Sequence, residues 1–311
     1  MKILVTGGAG FLGSNLVGKL LENDDEIVVV DNLVTGKIEN IEEFRNHKNF
    51  SFIQADITEM AKMIKPGFDQ IYHLASPASP PKYMEFAYET MMANTLGTDL
   101  LCQYAVKNDC RLLFSSTSEI YGDPEVHPQT EEYWGNVNPI GVRSVYDESK
   151  RFGETLISHY ARTNSLNGMI VRIFNTYGPK MDPNDGRVVT NFVRQILQEE
   201  TISIYGSGTQ TRSFCYVSDL VEGLILAMNS TQSGPMNLGN PNEFTLIQLL
   251  EKIGRIIGKP YLIEYSPLPL DDPKKRNPKI DQASSLLGWN PKVQLEEGLI
   301  PTISWIKSKI L

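Results

Sequence analysis

Val5-Thr6-Gly7-Gly8-Ala9-Gly10-Phe11-Leu12-Gly13 is the stretch on which the fold turns. Its glycines at 7, 10 and 13 follow the short apolar run Lys2–Thr6 and open the amphipathic stretch Gly10–Glu22. Without side chains at those points the backbone can turn sharply and approach a pyrophosphate, which rests on the positive end of the helix. A plain strand-to-helix turn shows the same spacing, so context decides. Asp31 lies eighteen residues beyond Gly13, near the roughly 20 expected of a carboxylate that binds a ribose. No arginine follows within the next several positions to take a 2′-phosphate, so NAD is favoured over NADP. Asp56 and Ile57, after the third apolar run, suit the adenine end, although an exposed loop aspartate is the plainer reading.

Outward from that start, short apolar runs alternate with helical patterns. The strands expected are Lys2–Thr6, Glu26–Val30, Ser51–Gln54, Gln70–Ala75, Arg111–Ser115 and Met169–Phe174. The helices expected between them are Gly10–Glu22, Phe86–Lys107 and Val145–Arg162. Continuously apolar strands separated by helices predict a doubly wound, parallel Rossmann-type α/β sheet covered on both faces. Past Gly178 glycine and proline break the chain into shorter pieces, with helices expected at Val188–Leu197, Ser218–Asn229, Thr245–Ile257 and Leu295–Lys307. The organisation predicted is an NAD-binding domain at 1–178 and a smaller substrate-binding lobe at 179–311, with the last sheet strands free to cross that boundary.

Composition narrows the classes. The 311 residues are 41% hydrophobic and 21% charged, with 29 Lys and Arg against 37 Asp and Glu, a net charge of −8. That balance is poor for a nucleic-acid binder, and any anionic ligand must be met by a local group of cations. Cys102, Cys110 and Cys215 form no paired framework, and His47, His73, His127 and His159 have no metal-ligand spacing, so no metal is expected. No apolar run reaches the roughly 20 residues that span a bilayer. With no secretory signal at Met1-Lys2-Ile3-Leu4-Val5, a cytoplasmic, membrane-free protein is expected.

Tyr146 and Lys150 are four residues apart at the head of a helical pattern, hence on one face. An ammonium beside a phenol favours the phenolate, so the pair is expected to lower the phenol's pKa and let it take a proton from an alcohol as hydride leaves for NAD. Such a pair alone is common helix surface. The run Leu112–Ser116 ends in Thr117-Ser118-Glu119, a hydroxyl-rich strand end that by itself suits a cap or turn.

The glycine spacing departs from G-x-G-x-x-G by one residue and, with Tyr146, Lys150 and Thr117, resembles the short-chain dehydrogenase/reductase superfamily. Asn94–Thr98 and Arg172–Pro179 resemble its extended branch, whose members act on nucleotide-linked sugars. The stretches His73–Pro81, Thr117–Glu119, Tyr121–Pro128, Asn184–Val189, Tyr205–Arg212, and Asp271-Asp272-Pro273 with Lys275-Arg276 resemble the UDP-glucuronic acid decarboxylase family. The resemblance implies that UDP-glucuronate is oxidised at C4, loses CO2 as a β-keto acid and is reduced again to UDP-xylose by retained NADH. It implies catalytic roles for Tyr146, Lys150, Thr117, Glu119 at C5, and Arg276 on the carboxylate. It places NAD against Gly7, Gly10, Phe11, Leu12, Gly13, Asp31, Asn32, Thr35, Gly36, Asp56, Ile57, Leu74 and Thr176, besides Tyr146 and Lys150. The sugar nucleotide is placed against Pro77, Ser118, Asn175, Arg187, Val188, Tyr205, Gln210, Arg212 and Arg276. A homodimer joined by the helices Phe86–Lys107 and Val145–Arg162 is also implied.

Other readings share the pattern. One releases the 4-keto pentose with NADH. A second is a 4-epimerase or 4,6-dehydratase, against which stand Arg276 and Ser118, the latter where dehydratases carry an aspartic acid. A third is a non-catalytic NAD sensor, which needs neither Tyr146 nor Lys150. Where relatives carry Lys-Pro-Asp after the arginine, this chain has Asn277-Pro278-Lys279.

Overall fold

The computed structural model describes residues 1–60, 65–267 and 275–311. The six apolar runs of the first half become strands β1 (Lys2–Thr6), β2 (Glu26–Asp31), β3 (Phe50–Gln54), β4 (Gln70–His73), β5 (Arg111–Thr117) and β6 (Gly168–Ile173). All are parallel, in the spatial order β6-β5-β4-β1-β2-β3. The sheet reverses direction of travel between β1 and β4, and in open α/β sheets ligands gather at the carboxyl ends of the strands flanking such a point. Apolar residues of β1, β2, β4 and β5 are buried on both faces, which is why these strands read as unbroken hydrophobic runs.

Chain beyond Gly178 completes this sheet. Met236–Leu238 pairs in parallel with β6, and the helix Val217–Asn229 packs its Leu220, Leu224 and Met228 under the sheet. A separate core forms around Val193, Ile196, Leu249, Ile253, Leu299 and Ile306 from the helices Val188–Leu197, Leu246–Ile257 and Leu295–Ile310. Phe11 and Tyr216 touch both cores, so the glycine-rich start and the second lobe are packed together. Among the described residues no helix is long and apolar enough to cross a membrane.

The expected helix Phe86–Lys107 is not one regular helix. Ala87–Met92 and Thr98–Asn108 are α-helical, and Ala93–Gly97 between them is wound as a wider π-segment. Thr95 and Thr98 donate their hydroxyls to the carbonyls of Met91 and Asn94, at 2.7 Å each, so the side chains support backbone groups where the regular ladder is interrupted. The long helix Ser144–Asn164 lies against this segment. A Cβ on its Gly153 would collide with Phe114 and crowd the Asn94 carbonyl, so glycine is what lets the helix settle onto β5.

Candidate active site

Gly7 takes a left-handed φ of +74°, and a Cβ there would stand 2.7 Å from the Ala75 amide nitrogen. A Cβ on Gly13 would run into the Gly7 carbonyl oxygen. Only glycine builds this turn, and it leaves a bare backbone cradle at the head of the helix Phe11–Leu21. Asp31 sits at the end of β2, its carboxylate accepting from the Ala9 and Leu33 amides at 3.0 and 2.8 Å; burial raises its pKa. Gly36 packs on that carboxylate so closely that a Cβ would overlap it. Asp56 holds Asn32 at 2.8 Å and the Thr58 hydroxyl at 2.6 Å, donors that outweigh burial and lower its pKa.

These groups line one cavity of about 1010 Å³ running between the sheet and the second lobe. Its wall also carries Gly10, Phe11, Leu12, Thr35, Ile57, Leu74 and Thr176. The same wall carries Pro77, Ser118, Asn175, Arg187, Val188, Tyr205, Gln210, Arg212 and Arg276. Tyr146, Lys150, Thr117 and Glu119 line it as well. Every site residue singled out from the sequence is therefore on the wall of the same cavity. Asp271-Asp272-Pro273 lies outside the described residues. A cradle open only to backbone, a cavity this long and an acidic residue at the end of β2 fit a dinucleotide with a second, phosphate-bearing ligand beside it.

Tyr146 and Lys150 share a helix face, as their spacing requires, and both are buried. The Lys150 ammonium donates to the Ser115 carbonyl at 2.7 Å and lies over the Phe114 ring, 5.8 Å from the Tyr146 ring centre. Burial lowers its pKa to about 7, since a charged amine in a dry site has lost its water. Burial likewise pushes the Tyr146 phenol up to about 12. What pulls the phenol back is the Thr117 hydroxyl, within hydrogen-bonding reach, and the Arg187 charge. Thr117 also fills the alternative role read from sequence: it caps the turn Ser118–Tyr121, accepting from the Glu119 amide at 3.2 Å.

Glu119 is held between two guanidiniums. Arg276 Nη1 donates to its Oε1, and Arg143 Nη2 donates to its Oε2 at 2.5 Å. Burial alone would raise the pKa of Glu119, but Arg276 and Arg143 together hold it well below the carboxylate range. Arg276 is 4% exposed, and its Nε has no hydrogen-bond partner. It reaches the cavity because Lys275-Arg276 pairs in parallel with Thr211–Ser213, setting Arg276 directly beside Arg212. The departure at Asn277 is absorbed in this support. Its amide donates to Gln129 Oε1 at 2.8 Å and its carbonyl accepts from the Gln129 amide at 2.9 Å, tying the arginine strand to the loop after β5.

Residues 3–239 match the NAD dependent epimerase/dehydratase family. The chain is 50% identical over 309 residues to UDP-glucuronic acid decarboxylase 1 of Xenopus tropicalis, covering 99% of this chain and 73% of that protein. It is 51% identical over 303 residues to UDP-glucuronic acid decarboxylase 6 of Arabidopsis thaliana, covering 96% and 87%. The chain belongs to the NAD dependent epimerase/dehydratase family, among its UDP-glucuronic acid decarboxylases. A UDP-glucuronic acid 4-epimerase from Bacillus cereus, solved with UDP-glucuronic acid and NAD, superposes with a TM-score of 0.90 at 28% identity, over 99% of this chain and 100% of that one.

For a member of this family, two wall residues, Tyr83 and Arg143, and a buried acid beside them, Asp147, were missed by reading the sequence. Tyr83 stacks on Tyr146 with ring centres 4.9 Å apart and planes 3° apart. Arg143, the N-cap residue of the helix that carries Tyr146, grips Glu119. Asp147, buried beside them, looks in sequence like one more surface acid of that helix. The Tyr83–Tyr146 stack and the Arg143–Glu119 pair form across the fold, and no local spacing announces them.

Proposed function

We propose that this family member converts UDP-glucuronate to UDP-xylose and CO2, keeping NAD bound throughout. The observation that carries the reading is a buried arginine, Arg276, on the wall of the cavity that also holds Tyr146 and Thr117. An alcohol oxidase needs the tyrosine; only chemistry on an acid needs a buried planar cation at the sugar end. NAD, when bound, supplies the hydride acceptor for C4, returns the hydride later, and in its oxidised form favours the phenolate. Tyr146 takes the proton of the C4 hydroxyl, and Thr117 keeps that oxygen in line. With a ketone at C4 the acid is a β-keto acid, and the C5–carboxyl bond breaks with its electrons passing to the C4 oxygen. Tyr146, now protonated, and Thr117 hydrogen-bond that oxyanion. A proton from solvent is added at C5, Tyr146 returns its own when C4 is reduced, and one proton is consumed for each CO2 released. Ser118 has no acid proton for a leaving 6-hydroxyl, which favours this course over dehydration. Arg187 and Arg212 offer the cations that a diphosphate requires in an acidic chain.

The same reading places the enzyme in the cytoplasm as a homodimer paired through the helices at 87–108 and 144–164. Support for the pairing comes from large apolar side chains left exposed on them, Tyr88, Leu96 and Phe152. The test is to incubate the pure protein with UDP-glucuronate and NAD and resolve the products. One CO2 per UDP-xylose with no lasting NADH is expected. UDP-galacturonate without CO2, or no turnover, overturns the reading; a 4-keto pentose with equimolar NADH overturns the reduction step.

A further inference from the structure

Glu119 as it stands cannot move a proton, because both of its oxygens are taken by guanidiniums. To serve at C5 it must be freed of both. Under the decarboxylase reading above, the substrate's own carboxylate is a rival partner for Arg276. Nothing in that substrate plays the same part for Arg143. Asp147 does. It lies four residues after Arg143 at the start of the Ser144–Asn164 helix, so the two side chains share a face. It is 6% exposed, and its Oδ1 is buried with no hydrogen-bond partner. A fully buried carboxylate oxygen that no protein donor reaches calls for an explanation. Asp147 and Arg143 also line a second, smaller cavity of about 200 Å³, with Gly122, Asn136 and Val137.

We propose that Asp147 is a positioning residue for decarboxylation: it receives the Arg143 guanidinium when the substrate carboxylate takes Arg276, and so releases Glu119 to carry a proton to C5. Charge bookkeeping agrees. Glu119, Asp147, Arg143 and Arg276 sum to zero in the free protein, and a bound hexuronate carboxylate brings a surplus negative charge. A proton from solvent on Glu119 cancels it. As neutral CO2 leaves, the substrate's negative charge passes to the enolate; the proton on Glu119 then forms the C5–H bond as the enolate electron pair collapses onto carbon, the sugar is left without the surplus charge, and the four groups return to zero. The two acids are poised for the exchange. Burial and the Glu119 charge hold Asp147 above the ordinary carboxylate range, with Arg143 and Arg276 opposing and Glu148 adding to the rise; Tyr83 also faces it. Glu119, equally buried, is held low by its two cations. Moving one guanidinium from Glu119 to Asp147 reverses the two conditions.

Asp147→Asn keeps the size and an acceptor oxygen but removes the charge that can hold a guanidinium. In single turnovers with UDP-glucuronate on the NAD-loaded enzyme, NADH should appear within about threefold of the parent rate while CO2 release slows about 100-fold. The keto acid and NADH should accumulate together. In the parent, CO2 release should fall as pH drops and Asp147 takes a proton; in Asp147→Asn that acid limb should vanish. CO2 release at the parent rate, or equal losses in both steps with the pH profile unmoved, overturns the proposal and leaves Asp147 a packing residue. Should the single variant not fold, Arg143→Gln and Arg143→Gln/Asp147→Asn are compared instead. With the guanidinium gone, losing Asp147 should change the CO2-to-NADH ratio no further, and additive losses overturn the proposal. If the parent enzyme itself releases no CO2, it is the decarboxylase reading that has failed.

Discussion

Replacing Tyr146 by phenylalanine should lower turnover of UDP-glucuronate about 10³-fold or more, with NAD affinity within about threefold of the parent, as measured by CO2 release and cofactor titration. A positioned acid–base group contributes on the order of 10²–10⁴ in rate, and here the same oxygen acts in every chemical step. The loss should not come from the fold. The phenylalanine ring preserves the parallel stack on Tyr83, and Thr117 keeps the Glu119 amide as a partner. Removing both the hydroxyl and its need for a partner is expected to shift stability by no more than about 1 kcal/mol. Parental rates in this variant would remove Tyr146 from the chemistry and, with it, the assignment of the cavity.

Arg276→Ala should divide the reaction in two. C4 oxidation, followed as the first rise of NADH, should fall no more than about tenfold, whereas CO2 release should fall about 10³-fold, or roughly 4 kcal/mol of barrier. Undiminished CO2 release would place the guanidinium outside the reaction. Stability should change as well, by about 2 kcal/mol, because a buried cation leaves Glu119 with Arg143 alone. The sign with pH is fixed. Although burial pushes the Glu119 pKa up, Arg276 and Arg143 hold it below its unfolded value, so it contributes stability above that value and loses the contribution as pH falls through the folded pKa. The parent's advantage over Arg276→Ala should therefore be full at neutral pH and shrink in acid, which chemical denaturation at several pH values can follow.

The residues that fold the first half were readable because each does its work locally. Leu4, Val29 and Leu113 sit in apolar runs with no polar alternation, the mark of a strand covered on both faces, and Gly7 and Gly13 stand where only glycine fits. The strands Met236–Leu238, Thr211–Ser213 and Lys275–Arg276 are two or three residues long, too short for a period to show, and form only through partners distant in sequence. The same division holds at the site. The Tyr146–Lys150 spacing announces a shared face, but whether one side chain acidifies the other depends on burial, which the sequence does not display. The Ala93–Gly97 segment interrupts a pattern that reads as continuous helix; Thr95 within it and Thr98 just after it bond to backbone carbonyls, which no hydropathy pattern displays.

Arg212 and Arg276 stand opposite one another in a ladder only two residues long. Side chains alternate between faces along a strand, so a slip of a single residue in that pairing would swing the second arginine to the far side and bring Lys275 or Asn277 into its place. The short ladder therefore acts as a ruler. On the proposed reading, in which Arg212 meets the diphosphate and Arg276 the sugar carboxylate, backbone hydrogen bonds fix the spacing of the two cations, and a ligand longer or shorter by one bond would satisfy one arginine at the expense of its neighbour.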